Sequence, residues 1–303
     1  MRRTVTIRDT PVAVHERGEG PPLVFLHGAT QDHTIWARQV ARFRHAHRTV
    51  AYDARGHGRT PLGPAIEAGD VLTVDLMAED CLAVLDALGI ERAVLCGVSL
   101  GGMTALAVAA RAPGRVEALV LANTPLALSL NPALLRVIDW LNPYAVLVPL
   151  LRWMDPTRVA RTGVWLLRLL LGRGWARPEA AGRLVRAFGR MPPRALVETY
   201  RAICEARLPD VGRMAAPVLV VTGEDEIAMV FRHAAEIARL IGRAELVTLP
   251  GGHVTNIDAP GAFNDALAAF LARWNVSGGE GGQRLGRVDP PVIERPAGDR
   301  ALQ

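Results

Sequence analysis

The chain has 303 residues, of which 50% are hydrophobic and 21% are charged, and this balance predicts a globular protein with a sizeable core. All 35 basic residues are arginines, and against 30 acidic residues they give a net charge of +5. The arginines are scattered and form neither a basic stripe nor a nucleic-acid-binding motif. No nucleic-acid partner is therefore expected.

The cysteines and the apolar runs bear on where the protein resides. The three cysteines are far apart and lack metal-ligand spacing, which favours a reducing compartment. No secretory apolar segment follows the two N-terminal arginines. The longest apolar region, residues 134–154, is interrupted by charged residues and prolines, so it is predicted to be amphipathic rather than membrane-spanning. A cytoplasmic location is expected.

Short apolar runs typical of buried strands alternate with helical patterns along most of the chain. The predicted strands are residues 23–26, 49–52, 93–96, 118–121, 218–221 and 244–249, and the clearest helices are residues 72–88 and 101–111. This alternation predicts an α/β fold, with a mostly parallel central sheet flanked by helices.

The alternation stops between residues 124 and 210, where leucine, tryptophan, valine and arginine recur at helical spacing. This region is predicted to be a helical cap inserted between two parts of the core, residues 1–123 and 211–274. Four tryptophans lie in it, and each alone is expected to pack in a core: Trp140, Trp153, Trp165 and Trp175. Collectively, an apolar insertion beside the sheet is well placed to line a pocket for a hydrophobic small molecule. Residues 275–303, rich in glycine, proline and charge, are predicted to form a flexible tail.

Ser99 lies in the sequence Gly97-Val98-Ser99-Leu100-Gly101, between a predicted strand and a predicted helix. The G-x-S-x-G pattern in that context is typical of a nucleophile elbow, in which a sharp turn strains the central residue and glycines allow close packing. The helix N-terminus would favour developing negative charge. A turn that only packs a helix on a strand is the alternative.

A serine hydroxyl needs a base to remove its proton, and the base needs a group that orients it. His253 directly follows the last predicted strand and is the candidate base. The preceding strand is followed by three acidic residues, Glu224, Asp225 and Glu226, which are the candidate acids.

Four ordered motifs resemble the α/β-hydrolase superfamily, in particular its cofactor-free serine hydrolases with a helical cap. They are Phe25-Leu26-His27-Gly28-Ala29, Asp53-Ala54-Arg55-Gly56-His57-Gly58-Arg59, Gly97-Val98-Ser99-Leu100-Gly101-Gly102-Met103 and Gly251-Gly252-His253, and the likeness covers roughly residues 11–274. The resemblance implies the chain order nucleophile, acid, histidine. It also implies an oxyanion hole formed by the backbone N–H groups of Ala29 and Leu100, and no metal or organic cofactor. His27 and His57 are expected to be structural loop residues.

The acid departs from the family pattern. The family commonly has aspartate at the fourth position of a G-x-x-D motif, and Glu226 occupies that position here. Glutamate can also hold the imidazole tautomer and stabilise the imidazolium. The position therefore favours Glu226, and Asp225 remains the competing candidate.

The resemblance to enol-lactone hydrolases and carboxylesterases favours hydrolysis of an ester or lactone of a hydrophobic small molecule through an acyl-enzyme on Ser99. Two alternatives remain open at this point: hydrolysis of a carbon–carbon bond in a vinylogous diketone, and ligand binding without catalysis. Contact of the arginine-containing insertion with a membrane surface is a less favoured possibility. The sequence does not indicate an oligomeric state.

Overall fold

An eight-stranded sheet organises the computed structural model of the chain, which describes residues 1–126, 153–207, 209–211 and 214–274. The strands lie in the order β1-β2-β4-β3-β5-β6-β7-β8. Their bounds are β1 (Arg2–Ile7), β2 (Thr10–Arg17), β3 (Pro22–Leu26), β4 (Arg48–Tyr52), β5 (Ala93–Val98), β6 (Val116–Ala122), β7 (Val218–Gly223) and β8 (Ala244–Leu249). Strands β3 to β8 are parallel, whereas β2 pairs antiparallel with both β1 and β4. The predicted α/β fold with a mostly parallel sheet is confirmed.

Ten α-helices occur in the described residues. They are α1 (Ala37–Phe43), α2 (Pro64–Ala68), α3 (Val74–Ala87), α4 (Leu100–Arg111), α5 (Pro156–Leu170), α6 (Pro178–Phe188), α7 (Pro193–Glu205), α8 (Ala228–Leu240), α9 (Thr255–Asp258) and α10 (Pro260–Arg273). Helix α3 begins where the Thr73 side chain accepts a hydrogen bond from the Leu76 N–H at 3.0 Å. None of the helices described is both long enough and apolar enough to cross a bilayer.

Both faces of the central strands β3 to β7 are buried, which explains why these parallel strands contain apolar runs. In β5, Ala93 and Leu95 pack with buried residues of α3 and α4, whereas Val94, Cys96 and Val98 pack on the other face with residues of α1 and α10. A strand covered on both sides tolerates no polar alternation.

Helices α5, α6 and α7 lie between β6 and β7 in the chain, where the sequence predicts a helical insertion. Two tryptophans of this region are not core residues, since Trp153 is 91% exposed and Trp165 is 63% exposed. Trp175 is partly buried against the core cluster that includes α10. Trp140 and the predicted tail, residues 275–303, lie outside the described residues.

Candidate active site

Ser99 lies at the turn from β5 into α4 with φ +52° and ψ −117°, a left-handed backbone that non-glycine residues rarely adopt. Two main-chain hydrogen bonds hold it there. The Ser99 N–H donates to the Ala122 carbonyl at 2.9 Å, and the Ser99 carbonyl accepts from the Met103 N–H at 3.0 Å. The strained turn places the serine hydroxyl at the carboxyl edge of the sheet.

The glycines around Ser99 are required by close packing. A Cβ atom on Gly97 would lie 2.3 Å from the main chain of Gly101, and one on Gly101 would lie 2.1 Å from the Leu26 carbonyl oxygen. A Cβ atom on Gly102 would lie 1.9 Å from the Thr124 hydroxyl. Small residues on both sides therefore let the turn pack against β3 and the end of β6.

Ser99, His253 and Glu226 form a continuous chain of hydrogen bonds. His253 Nε2 lies 3.0 Å from Ser99 Oγ, and His253 Nδ1 lies 2.6 Å from Glu226 Oε2. Glu226 Oε1 accepts a further hydrogen bond from the Ile227 N–H at 2.9 Å, and the Glu226 side chain is fully buried. Because the carboxylate can only accept, the Nδ1 proton points to Glu226 and the Nε2 lone pair faces the serine hydroxyl. The arrangement can move a proton from Ser99 to His253.

Asp225 and Glu224 point away from His253. The Asp225 side chain is 43% exposed and pairs with Arg177 at 3.2 Å, and Glu224 is exposed. Of the three consecutive carboxylates, Glu226 is the one that contacts the histidine.

Asn123 connects the loops that carry the histidine and the acid, and the sequence interpretation missed it. Its buried Oδ1 accepts the Gly223 N–H at 2.8 Å, and its Nδ2 faces the His253 carbonyl at 3.0 Å and the Thr255 hydroxyl at 2.5 Å. Asn123 directly follows β6, at the carboxyl edge where ligands and site residues of parallel sheets gather. A polar residue directly after a buried parallel strand was the feature of the sequence that could have identified Asn123 as a site residue.

The inserted region also contacts the histidine. The His253 N–H donates to the Trp175 carbonyl at 2.7 Å, and the Trp175 indole stacks on the imidazole with centroids 5.1 Å apart and planes at 17°. On the other side, the Gly252 N–H donates to Asp258 Oδ2 at 3.0 Å. Burial raises the pKa of the Asp258 carboxyl, although this hydrogen bond acts in the opposite direction. Nothing in the local sequence of residue 175 marked it as a neighbour of His253.

The two predicted oxyanion donors lie on segments that adjoin Ser99. Leu100 is the first residue of α4, and the first N–H groups of a helix have no partner within the helix. A Cβ atom on Gly28 would lie 3.3 Å from Ser99 Cβ, so the loop that carries Ala29 passes directly beside the serine. The Gly28 N–H is already bound to Gln31 Oε1 at 2.9 Å, whereas Ala29 is the next residue along this loop.

His27 and His57 hydrogen-bond to main-chain groups of the surrounding loops. His27 Nε2 accepts from the Ala54 N–H at 3.0 Å, so its Nδ1–H donates to the Gly28 carbonyl at 2.8 Å. His57 Nδ1 lies 2.8 Å from the Arg55 carbonyl. Burial lowers the pKa of His27 and lowers that of His57 to about 3, which keeps both rings neutral.

One cluster of potential metal ligands, His15, His33 and Asp53, occurs among the described residues, with donor atoms within 4.8 Å of one another. The two imidazoles stack face to face, 3.3 Å between centroids and 8° between planes, so their in-plane lone pairs do not converge on one ion. The same cleft is lined by three arginines, whose charge opposes a cation: Arg2, Arg17 and Arg44. We therefore assign no metal to this cluster.

Comparisons with known proteins place the chain in a family. The model of the family described as "Alpha/beta hydrolase family" matches residues 23–266. The chain belongs to the α/β-hydrolase family. This α/β-hydrolase is 27% identical over 287 residues to 3-oxoadipate enol-lactonase 2 of Acinetobacter baylyi (strain ATCC 33305 / BD413 / ADP1), covering 91% of this chain and 98% of that protein.

Two further relatives agree with that assignment. A protein of Variovorax paradoxus (strain S110), provisionally named carbamate hydrolase RutD, is 30% identical over 280 residues, covering 88% of this chain and 97% of that protein. The crystal structure of the enol-lactonase from Burkholderia xenovorans LB400 is similar with a TM-score of 0.73 and 27% identity, covering 89% of this chain and all of that chain. Together with the fold, these relatives identify the α/β-hydrolase as a hydrolytic enzyme.

Proposed function

We propose that this α/β-hydrolase cleaves an ester or lactone of a hydrophobic small molecule through an acyl-enzyme on Ser99. The observation that carries the proposal is the hydrogen-bonded chain from Ser99 Oγ through His253 to Glu226, with distances of 3.0 and 2.6 Å. The enol-lactonases among the similar proteins support a lactone as the substrate class.

In the first step, His253 Nε2 removes the Ser99 proton while Oγ forms a bond to the substrate carbonyl carbon. The carbonyl electron pair moves to its oxygen, and the backbone N–H groups of Ala29 and Leu100 stabilise that oxyanion. Glu226, buried and bound to Nδ1, stabilises the imidazolium that forms. Collapse of the intermediate breaks the bond to the alcohol oxygen, which receives the proton from His253.

In the second step, His253 removes a proton from water, and the resulting hydroxide attacks the acyl-enzyme carbonyl. The tetrahedral intermediate expels Ser99 Oγ, which recovers its proton from His253. The product is a carboxylic acid, and for a lactone the alcohol and the acid remain in one molecule. No redox step or external group donor takes part.

We also propose that the inserted region, predicted as residues 124–210, is a cap over this site. Two contacts of its described part support this. The Arg183 guanidinium donates to the Thr34 carbonyl at 3.2 Å, and the Trp175 carbonyl accepts the His253 N–H. The insertion is rich in leucine and tryptophan between residues 134 and 171, so the cap should select medium or bulky hydrophobic groups over acetyl and charged groups.

A carbamate is the second candidate substrate class, favoured by the 30% identity to the provisionally named carbamate hydrolase. The same nucleophile, base and oxyanion donors would attack a carbamate carbonyl. For a carbamate ester the alcohol or phenol leaves first, as it does from a carboxylic ester. The carbamoyl group left on Ser99 is then hydrolysed by water to carbon dioxide and an amine or ammonia.

The test is a kinetic panel of p-nitrophenyl esters from acetate to decanoate, aliphatic lactones and aryl carbamates. Ser99→Ala should abolish turnover, and Glu226→Gln should lower kcat by about 10⁴-fold, the cost of replacing the orienting carboxylate by an amide. Asp225→Asn is the matched control and should remain within about threefold of wild type, because Asp225 faces Arg177 and not His253.

Mass spectrometry after treatment with a fluorophosphonate should show one adduct, on Ser99, in the wild type and none in Ser99→Ala. Full ester turnover by Ser99→Ala, or equal losses for Glu226→Gln and Asp225→Asn, would contradict the proposed mechanism. Faster hydrolysis of acetate than of octanoate would contradict the hydrophobic selectivity.

A further inference from the structure

Trp175 makes two different contacts with His253. Its main-chain carbonyl accepts the His253 N–H at 2.7 Å, and its indole lies nearly parallel to the imidazole, with centroids 5.1 Å apart. The residue lies between α5 and α6, and its side chain also packs against the core cluster on the α10 side of the sheet. A residue of the inserted region therefore covers one face of the His253 imidazole.

We propose that Trp175 is a positioning residue of the active site. Its indole keeps the imidazole in the plane that bridges Glu226 and Ser99 and stabilises the imidazolium formed when Ser99 is deprotonated. This inference rests on the proposed function, since it assigns His253 the role of base.

The geometry of the imidazole explains why a contact on its face matters. The hydrogen bonds to Glu226 and Ser99 both lie at the ring edge, at Nδ1 and Nε2. Edge contacts alone leave the ring free to tilt about the line that joins them, and a packed aromatic face restricts that tilt. The contact with Ser99 is the longer of the two, so a tilt weakens proton transfer there first.

Charge gives a second reason. A cation within about 6 Å of an indole centroid is stabilised by the ring quadrupole, and the imidazole centroid lies within that distance. The neutral imidazole gains less from the same contact. The indole therefore favours the charged state of His253 that accompanies the oxyanion.

The backbone around Trp175 is fixed from both sides, so the stacking is built into the fold. A Cβ atom on Gly252 would lie 2.2 Å from the carbonyl oxygens of Gly174 and Trp175, which shows how closely the two segments approach. Two residues further along, Arg177 pairs with Asp225 at 3.2 Å.

The charged groups around His253 also influence its protonation, so they must stay unchanged if the pH profile of the rate is to report on Trp175. Glu226, from the loop after β7, faces Nδ1, and Asp258 of α9 binds the N–H of the preceding Gly252. Asp225 and Arg177 pair with each other. Substitutions of Trp175 leave all four side chains in place, so a shift in the pH profile reports the lost ring.

The experiment compares Trp175→Met, which fills space without an aromatic face, with Trp175→Phe, which retains one. The matched control is Trp165→Met, because Trp165 is 63% exposed in the same insertion. Trp175→Met should lower kcat by about 10- to 100-fold, a loss of the size of one general-base contribution or less. The KM should remain within about threefold, and the loss should be equal for acetate and octanoate esters. Trp175→Phe should recover most of the rate.

The pH profile gives a readout that a purely structural role would not change. Loss of the indole should move the acidic limb of the kcat/KM profile to lower pH by about 0.5 to 1 unit in Trp175→Met, because the imidazolium loses a cation–π contact. The limb should stay in place in Trp175→Phe and Trp165→Met. Melting temperatures are measured for every variant, and Trp175→Leu replaces the methionine variant if that one is unfolded.

Proton NMR tests the positioning without any substrate. The His253 Nδ1–H, held by Glu226 at 2.6 Å, should give a low-field resonance that disappears in Glu226→Gln. This resonance should broaden in Trp175→Met through faster exchange and persist in Trp175→Phe.

Each contrary outcome identifies which proposal has failed. If no ester, lactone or carbamate is hydrolysed by wild type, the proposed function fails while the NMR comparison still decides the positioning role. A folded Trp175→Met variant with unchanged resonance and kcat would overturn that role. Losses confined to the KM of long-chain esters would make Trp175 a substrate contact and would overturn it too.

Discussion

Asn123→Ala should destabilise the protein more than any single hydrogen bond explains, because one buried amide holds three loops together. Its Oδ1 binds the Gly223 N–H at the end of β7, and its Nδ2 faces the His253 carbonyl and the Thr255 hydroxyl. Alanine removes all of these partners at once. The substitution also places an alanine at φ +45°, a region in which asparagine is one of the few tolerated side chains.

The cost can be worked out from these contacts. The buried Gly223 N–H left without an acceptor costs about 1–3 kcal/mol, and the two hydrogen bonds donated by Nδ2 contribute about 1 kcal/mol each. The left-handed backbone adds about 1 kcal/mol for alanine. Since neighbouring terms overlap and the loops can relax, we expect a net loss of about 3 to 5 kcal/mol in the free energy of unfolding.

Guanidinium-induced unfolding, with the slope of the transition compared between variants, measures this loss. Asn264→Ala is the matched control, since Asn264 is partly buried and accepts one hydrogen bond from Gln39 at 3.1 Å. It should cost about 1 kcal/mol. Equal losses for the two variants would refute the view that Asn123 joins the loops. In parallel, kcat of Asn123→Ala should fall, because the histidine and acid loops lose their common anchor.

Two other substitutions test the packing and the buried histidines. Gly252→Ala should abolish turnover while largely keeping the fold, because the new Cβ would meet the Gly174 and Trp175 carbonyls at 2.2 Å, whereas Gly261→Ala meets nothing within 4 Å and should match wild type in kcat. Retained activity in Gly252→Ala would contradict the close packing. His57 has a folded pKa of about 3 against about 6.5 unfolded, so its contribution to stability is lost as pH falls below 6.5. His57→Gln should therefore reduce the stability difference between pH 7 and pH 4 by up to about 3 kcal/mol in urea unfolding, and an unchanged difference would refute this.

Most of the strands that the sequence predicts are buried on both faces. Strands β3 to β7 are almost entirely buried and were predicted from their apolar runs. The edge strand β8 was also predicted, although most of its residues are half-buried or exposed. The hairpin of β1 and β2 was missed because more exposed and less exposed residues alternate along much of both strands, so neither forms an apolar run. Strand β2 is instead held in the sheet by its antiparallel hydrogen bonds to β4, which the hydrophobic pattern of the sequence does not reveal.

The site was predictable where its residues directly follow parallel strands. Ser99 follows β5 and His253 lies just beyond β8. In the sequence, both residues are recognisable because they lie close to glycines shortly after a predicted strand. The sequence favoured Glu226 over Asp225 only by its place in the family motif, because the directions of the two side chains depend on turn hydrogen bonds. The Asp225 N–H binds the Gly251 carbonyl and the Glu226 N–H binds the Gly223 carbonyl, which sends the two side chains in different directions.

The contact between Trp175 and His253 could not be predicted from the sequence, because the two residues are far apart in the chain. It also indicates which substitutions should change the substrate selectivity of the enzyme and which should change its rate. The strand ends fix Ser99, His253 and Glu226 through main-chain contacts of the core, so most of the insertion can change without moving them. The segment of Gly174 and Trp175 is the exception, because the Trp175 carbonyl and indole contact His253 and the Gly174 carbonyl lies close to Gly252. Substrate selectivity should therefore respond to substitutions elsewhere in the insertion, whereas substitutions in this segment should alter the rate for every substrate alike.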